Sequence, residues 1–432
     1  MQKIYFLVFK EKITSESSLI LNNLVLISFA NILSAFFYFL FNLIGSKDLG
    51  PAGYGTYTLT YSYMNILMLP MMQNLNNSLI KYNSESTDQK RRETIISTVL
   101  ILIILFTGIS LMILIVGSAF FVELTGLTTH LYALAILSGF TYVIYTIGIS
   151  LLISLHEMKH LAVFNVFYNL IMILIEFIIL FFNLFNFTIM LYILNASNVL
   201  TGSIIIILFK KYIKFQFDIP WAKKILKYNF VGLLGTSLLG IYTDFGKILL
   251  EYFSNVTILG IYGVYYLGSI MVSAVFSRII AIVIFPSASK HHNKLAFMKK
   301  LEKTIPLMLI FGIPGMSLVQ IIILHLFGPE YPLNYYYVFI FALASVLTVI
   351  NTIGIWIYNS EGVNGAKHVA YALLAVAGTS LLLDVVLIPF YQIYGAIFAL
   401  IIANVLGIIV LIAKKESLKP QGENLNQIST ST

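Results

Sequence analysis

The chain has 432 residues, of which 59% are hydrophobic and only 10% charged, too little polar surface to clothe a soluble globule of this size. Its net charge of +8 is no argument for nucleic acid here, because basic residues also orient membrane proteins and attract anionic lipid. Cysteine is absent, which excludes disulfides and thiolate metal sites.

The opening Met1-Gln2-Lys3, six mostly apolar residues and Lys10-Glu11-Lys12 lack the apolar core and cleavage site of a signal peptide. This segment is read as a cytoplasmic lead lying on the membrane surface. Twelve apolar stretches follow, at 19–46, 55–80, 94–122, 131–155, 162–183, 188–209, 229–252, 257–286, 304–327, 334–359, 368–388 and 392–413. Each reaches about 20 residues, which at about 1.5 Å per residue crosses a hydrocarbon core of about 30 Å. Basic residues fall in every second gap. Lys3, Lys10 and Lys12 precede the first span, Lys81, Lys90, Arg91 and Arg92 follow the second, and Lys159 follows the fourth. The sixth gap carries Lys210, Lys211, Lys214, Lys223, Lys224 and Lys227, and the eighth Lys290, Lys294, Lys299, Lys300 and Lys303. With Lys367 and the tail's Lys414, Lys415 and Lys419, these are 23 of the 26 Lys and Arg. Positively charged loops stay in the cytoplasm, so both termini are expected there, in a multi-pass protein of the cell membrane. The gaps of the other set, near 123–130, 184–188, 253–256, 328–333 and 389–391, leave no room for an outer domain. The polar tail 414–432 is expected to be disordered.

The two halves echo each other at a spacing of about 205 residues. Gly55-Thr56-Tyr57 with Tyr61 recurs as Gly260-Ile261-Tyr262 with Tyr266. Asn198-Val199-Leu200 recurs as Asn404-Val405-Leu406, and Lys210-Lys211 as Lys414-Lys415. Six spans per half preserve the orientation, so the repeats are parallel, as in transporters with a cavity between two bundles. The expected fold is all-α, with 12 transmembrane helices in two pseudo-symmetric six-helix bundles, 1–215 and 216–413, around a central cavity.

Ionisable groups within spans are expensive and normally face a bundle interior. Asp244, Lys247 and Glu251 share one face of span seven at i, i+3 and i+7. Arg278 lies in span eight, Glu176 in span five, Asp384 in span eleven, His325 in span nine, and Lys47 closes span one. Two readings stand for Asp244 and Lys247, mutual neutralisation or a site. Lys247, Arg278 and Lys47 together offer positive potential to an anionic substrate, and the Arg fork suits phosphate oxygens. Lys47 and Glu251 also read as solvated anchors. Glu176 and Asp384 are candidates for coupling to H+ or Na+, or for buried carboxyls bonded to Asn or Ser.

Tyr54, Tyr57, Tyr61, Tyr63, Tyr262, Tyr265, Tyr266 and Tyr335 to Tyr337 cluster at the expected outer ends. An aromatic belt at the water–lipid boundary is the preferred reading, and stacking on sugar rings the other. Pro70 and Pro314 mark potential kinks. No phosphate loop, nucleophile elbow or zinc-protease motif is present, since His156-Glu157 and His160 are spaced one residue too far. No cofactor is expected.

Lys47-Asp48-Leu49-Gly50-Pro51 through Tyr54-Gly55 resembles the segment after the first span of polysaccharide flippases. Asp244 followed by Gly260-Ile261-Tyr262, Phe285-Pro286-Ser287, and Leu387-Ile388-Pro389 with Tyr394-Gly395-Ala396 are similar to later family positions, in order. The resemblance covers about 30–415 and is to the oligosaccharide (Wzx-like) flippase branch of the multidrug/oligosaccharidyl-lipid/polysaccharide exporter superfamily. It implies a two-lobed protein that turns polyprenyl-diphosphate-linked sugars across the membrane by alternating access. Glycosyltransferases or a polymerase of the same pathway are the implied partners. A cation antiporter of the same superfamily and a membrane glycosyltransferase are the competing expectations.

Overall fold

A computed structural model describes residues 15–214, 216–277, 294–361 and 363–418. Among the described residues the regular structure is helical throughout. In chain order the helices are α1 (Ser15–Met72), α2 (Leu75–Ser84), α3 (Gln89–Val116), α4 (Ser118–Thr125), α5 (Thr129–Ser154), α6 (Met158–Phe181) and α7 (Phe187–Leu208). They continue as α8 (Ile219–Phe253), α9 (Val256–Tyr266), α10 (Lys294–Phe327), α11 (Tyr335–Asn359), α12 (Val363–Tyr391) and α13 (Ile393–Ala413). A π-helical turn, Leu267–Met271, prolongs α9.

Ten helices among the described residues are long and apolar enough to cross a membrane, where the sequence predicts twelve spans. One of the ten, Val25–Met72, holds the first two spans. It is interrupted at Gly50, whose φ of 63° and ψ of 177° belong to a region only glycine adopts without strain. The chain reverses there. Tyr54 donates to Asn42 Oδ1 at 3.0 Å, and the rings of Phe41 and Tyr57 lie 6.5 Å apart. In a straight helix twelve residues would separate such groups by about 18 Å. Gly50→Ala is expected to cost about 1–3 kcal/mol, read as a lower melting temperature in detergent. The seventh span, expected at 229–252, lies within α8, which is not among the ten.

Two helices begin well before their spans. Asp218 caps α8 by accepting from the Trp221 N–H at 2.7 Å, and Pro220 sits in the first turn, where its missing N–H costs nothing. In α10, Leu295, Met298 and Leu301 are buried at helical spacing while Lys299 and Lys300 face outward. Both basic gaps are therefore partly helical, because Lys is compatible with helix and one face finds an apolar neighbour. Conversely, span two breaks at Gln73 and Asn74, both with positive φ, three residues after Pro70, and its C-terminal end is the separate helix α2. The lead (1–14) and most of the tail (419–432) lie outside the described residues.

Large apolar side chains such as Met112, Val116, Phe181, Phe311 and Phe390 point outward, as lipid-facing positions do. The interior is packed along α1 with α5 and α6, α5 with α7, α12 with α13, and α11 with α13. Asn198 and Asn404, matched in the sequence repeat, both take part in hydrogen bonds between helices. Asn198 of α7 donates to Thr141 of α5 at 3.4 Å, and Asn351 of α11 donates to Asn404 of α13 at 3.2 Å. The two halves meet where α1 packs on α8 and α9. A Cβ added at Gly55 would lie 1.7 Å from the Val256 carbonyl oxygen, and one at Gly260 1.9 Å from that of Pro51. These pairs are related by the same offset of 205 residues. Tyr331 Oη donates to the Ser46 carbonyl at 3.0 Å beside them. At the opposite end Ser78 donates to Asn229, Lys81 Nζ stands 4.3 Å over the Tyr228 ring, and the Arg91 guanidinium 5.0 Å over Trp221.

Candidate functional site

In the last third of α8, Asp244 and Lys247 form an ion pair of 2.8 Å with side chains only 6% and 10% exposed. Their spacing of three residues places both on the face turned towards α1. From α1, Ser62 donates to Asp244 Oδ1 at 3.2 Å and Asn65 to Oδ2 at 3.0 Å. The carboxylate is thus clamped by both halves of the chain. On the other side the Lys247 ammonium lies 4.9 Å over the ring of Tyr266, a favourable place for a cation on an electron-rich face. Tyr38 of α1 lies within electrostatic reach of Lys247. The site is a cation held at the seam by one carboxylate and faced by the ring of Tyr266.

Beside it lies a cavity of about 70 Å³ lined by Lys247, Gly246, Tyr266, Asp384 and Asn404 among others, room for a few waters. Asp384 of α12 is 3% exposed and accepts from Ser380 at 3.4 Å. It approaches α8 where Gly246 has no side chain, since a Cβ there would stand 3.0 Å from Asp384 Oδ2. Lys247 and Asp384 therefore share one cavity although 137 residues separate them. Among the described residues no group of His, Asp and Glu is suited to hold a metal ion.

The remaining candidates fall elsewhere. Lys47 is exposed at the end of the first half of α1, beside the contact of Ser46 with Tyr331, and makes no ion pair among the described residues. Glu176 is wholly buried on α6, away from the α8 pair. Glu251 lies near the C-terminal end of α8, half-buried. Arg278 and the Phe285-Pro286 motif lie outside the described residues. His325 is exposed near the end of α10 and bonds its own helix at Ile321 O, 2.8 Å.

The tyrosines divide. Tyr335 and Tyr336 are exposed, as a belt requires. Tyr54, Tyr57, Tyr63, Tyr262 and Tyr265 are buried, so the belt reading fails for them. Tyr54 and Tyr57 stack at 5.9 Å and Tyr262 and Tyr266 at 5.8 Å, filling the seam where the halves meet. The glycines beside them draw the helices together, and residues one turn apart on such a face are turned inward. Sequence reasoning passed over Ser62 and Asn65, which carry no motif and lie about 180 residues from their partner.

The chain is thus a multi-pass helical membrane bundle with a buried ion pair where α1 packs on α8. The lipid II flippase MurJ in an inward closed conformation is similar, with a TM-score of 0.67 and 17% identity over 91% of this chain and 87% of that one. Multidrug resistance MATE family transporters of the MOP superfamily are similar in inward-facing form (TM-score 0.60, 15% identity, 90% and 96% covered) and outward-facing form (0.61, 16%, 95% and 97%). No curated protein sequence matches the chain significantly. Residues 20–292 match the model of the polysaccharide biosynthesis protein family, and the chain belongs to that family. These solved structures share its fold.

Proposed function

We propose that the protein flips a polyprenyl-diphosphate-linked oligosaccharide from the cytoplasmic to the outer leaflet of the cell membrane, for synthesis of a surface glycan. The observation that carries this reading is the buried Lys247 at the seam between the halves, held by Asp244 and faced by the ring of Tyr266. A diphosphate is the anion such a cation attracts, while the polyprenyl chain stays in lipid and the sugar crosses between the halves. The two halves, 1–215 and 216–413, act as lobes that rock about the site, with both termini in the cytoplasm. Asp244 positions Lys247 and tempers its charge, Arg278 adds phosphate contacts from span eight, and Lys47 attracts the headgroup at the outer mouth. Asp384 and Glu176 are the two candidates from which the group coupling to H+ or Na+ is drawn. Membrane lipids and glycosyltransferases or a polymerase of the same pathway are the partners.

One observation favours a second reading, an ion-coupled cation antiporter. Asp384 lines the same cavity as Lys247 and would draw a cation. Lys247 weighs against it, because the place over Tyr266 where an organic cation would sit is already taken by the ammonium. Reconstitution into liposomes containing a fluorescent lipid-linked oligosaccharide decides between them. The expected result is a protein-dependent rise in the fraction reached by a membrane-impermeant quencher. No transfer of any lipid-linked sugar, with uptake of an organic cation instead, would move the protein to the antiporters.

A further inference from the structure

Glu176 of α6 has no exposed surface, and neither carboxyl oxygen meets a hydrogen-bond partner among the described residues. Its near walls are Gly45 of α1 and Met190 of α7. A Cβ added at Gly45 would stand 3.3 Å from Glu176 Oε1 and 2.7 Å from the Met190 methyl. The hydroxyl of Tyr57 is likewise buried and unpartnered, within electrostatic reach of Glu176. No Lys or Arg pairs with the carboxyl among the described residues. α7 contains no charged residue, and α5 brings only tyrosines and His130, which is exposed at its first turn. On α6 itself the nearest titratable side chain is Tyr168, two turns away. Among the described residues the one charged group within electrostatic reach is Asp48 of α1, which is exposed. It lies three residues beyond Gly45, on the same helix face and one turn nearer the expected outer end. An ionised carboxylate at Glu176 would lose its hydration and gain neither donor nor counter-ion, so the neutral acid is the form this pocket accepts.

We propose that Glu176 is the proton-carrying group of the transport cycle. In the arrangement seen here, with the helices joined at Gly55 and Gly260, it holds one proton. That proton comes from outer water through Asp48 and passes to cytoplasmic water when the helices around Gly45 part, so each cycle moves one proton inward against outward transfer of the substrate. The pocket suits a proton better than a sodium ion, which takes several oxygen ligands, whereas a glycine and a thioether wall this carboxyl. Asp384, with a serine donor and a cavity shared with Lys247, is left to balance the charge of the substrate site. The coupling role rests on the flippase reading; the protonation of Glu176 does not.

Infrared spectroscopy of the full-length protein in liposomes at neutral pH tests the protonation directly. The carbonyl stretch of a neutral carboxylic acid is expected in the wild type and in Asp384→Asn, and is expected to lose the Glu176 component in Glu176→Gln. A spectrum unchanged by Glu176→Gln would overturn the proposal. Should that variant fail to fold, Asp48→Asn in the otherwise intact chain supplies a second reading. Hydrogen–deuterium exchange of the same band is expected to slow several-fold, and unchanged exchange would remove the Asp48 route. Coupling is read as the ratio of flipping rates, for the fluorescent lipid-linked oligosaccharide, with and without an imposed pH gradient. The ratio is expected to be several-fold in the wild type and to fall to unity in Glu176→Gln, and a retained ratio in that variant would overturn the coupling role. Absence of flipping by the wild type would count against the function proposed above, while the infrared result would still decide whether Glu176 carries a proton.

Discussion

Gly260→Leu is expected to abolish transport while leaving the protein folded and inserted. The reason is the approach of α9 to α1, where any Cβ at position 260 would lie 1.9 Å from the Pro51 carbonyl oxygen. That is about half a van der Waals contact, and the obstacle is backbone, which cannot rotate away. The helices must separate for leucine to fit, so the joined arrangement is lost and the cycle stalls with that end open. Gly55→Leu meets the Val256 carbonyl oxygen at 1.7 Å and is expected to act alike. Because the chain has no cysteine, Thr58→Cys offers a clean reporter; Thr58 is buried at the seam, with Gly263 against it. A membrane-impermeant maleimide applied from the end at which Gly55 and Gly260 meet is expected to label it at least about tenfold faster when Gly260→Leu is added, a shift of about 1.4 kcal/mol or more in favour of the open form. Wild-type transport by Gly260→Leu would show that the cycle never needs this contact.

The second large effect concerns Lys247. Truncation to Ala leaves Asp244 buried and uncompensated, and breaking such a pair typically costs about 3–5 kcal/mol. Ser62 and Asn65 still donate to the carboxylate, which places the expected cost at the lower end of that range. Loss of flipping in this variant alone would therefore mix a damaged fold with a lost ligand contact. The double variant Asp244→Asn with Lys247→Met separates them. It removes both charges at similar volume, which is often neutral for stability. If the pair serves packing only, the double variant regains the melting temperature and the flipping rate together. If Lys247 meets the diphosphate, stability returns and flipping stays at least about tenfold down, a loss of about 1.4 kcal/mol or more of transition-state stabilisation. The second outcome is the one expected.

Much of the architecture is legible in the sequence because membrane proteins satisfy two strong constraints locally. Each crossing must satisfy its own backbone hydrogen bonds and be apolar over about 20 residues, so α5, α6, α7, α11 and α13 lie within a few residues of their expected spans. The limits of α8 and α10 are less legible, since hydropathy ends at the lipid boundary and the helices do not. The π-helical turn after Tyr266 has no signature in the local sequence. The Asp244–Lys247 contact follows from spacing along one helix. Its clamp by Ser62 and Asn65 does not, because those partners come from the other half of the chain.

The tyrosines show the same boundary between local and distant information. Position along a span suggests an interfacial belt, yet whether a ring meets lipid or a neighbouring helix depends on which face the packing turns inward. Gly55 and Gly260 settle that for the Tyr54–Tyr57 and Tyr262–Tyr266 stacks by allowing backbone to touch backbone. Composition and the spacing of apolar stretches thus determined, from the sequence alone, a multi-pass helical bundle. This property is set by each segment's own transfer between water and lipid. Only the tertiary structure decided that Asp384 shares a cavity with Lys247, and that Glu176, beside Gly45, meets no hydrogen-bond partner among the described residues. Burial and pairing of a charge are properties of the neighbours it meets, and those are chosen by helix packing over long sequence distances.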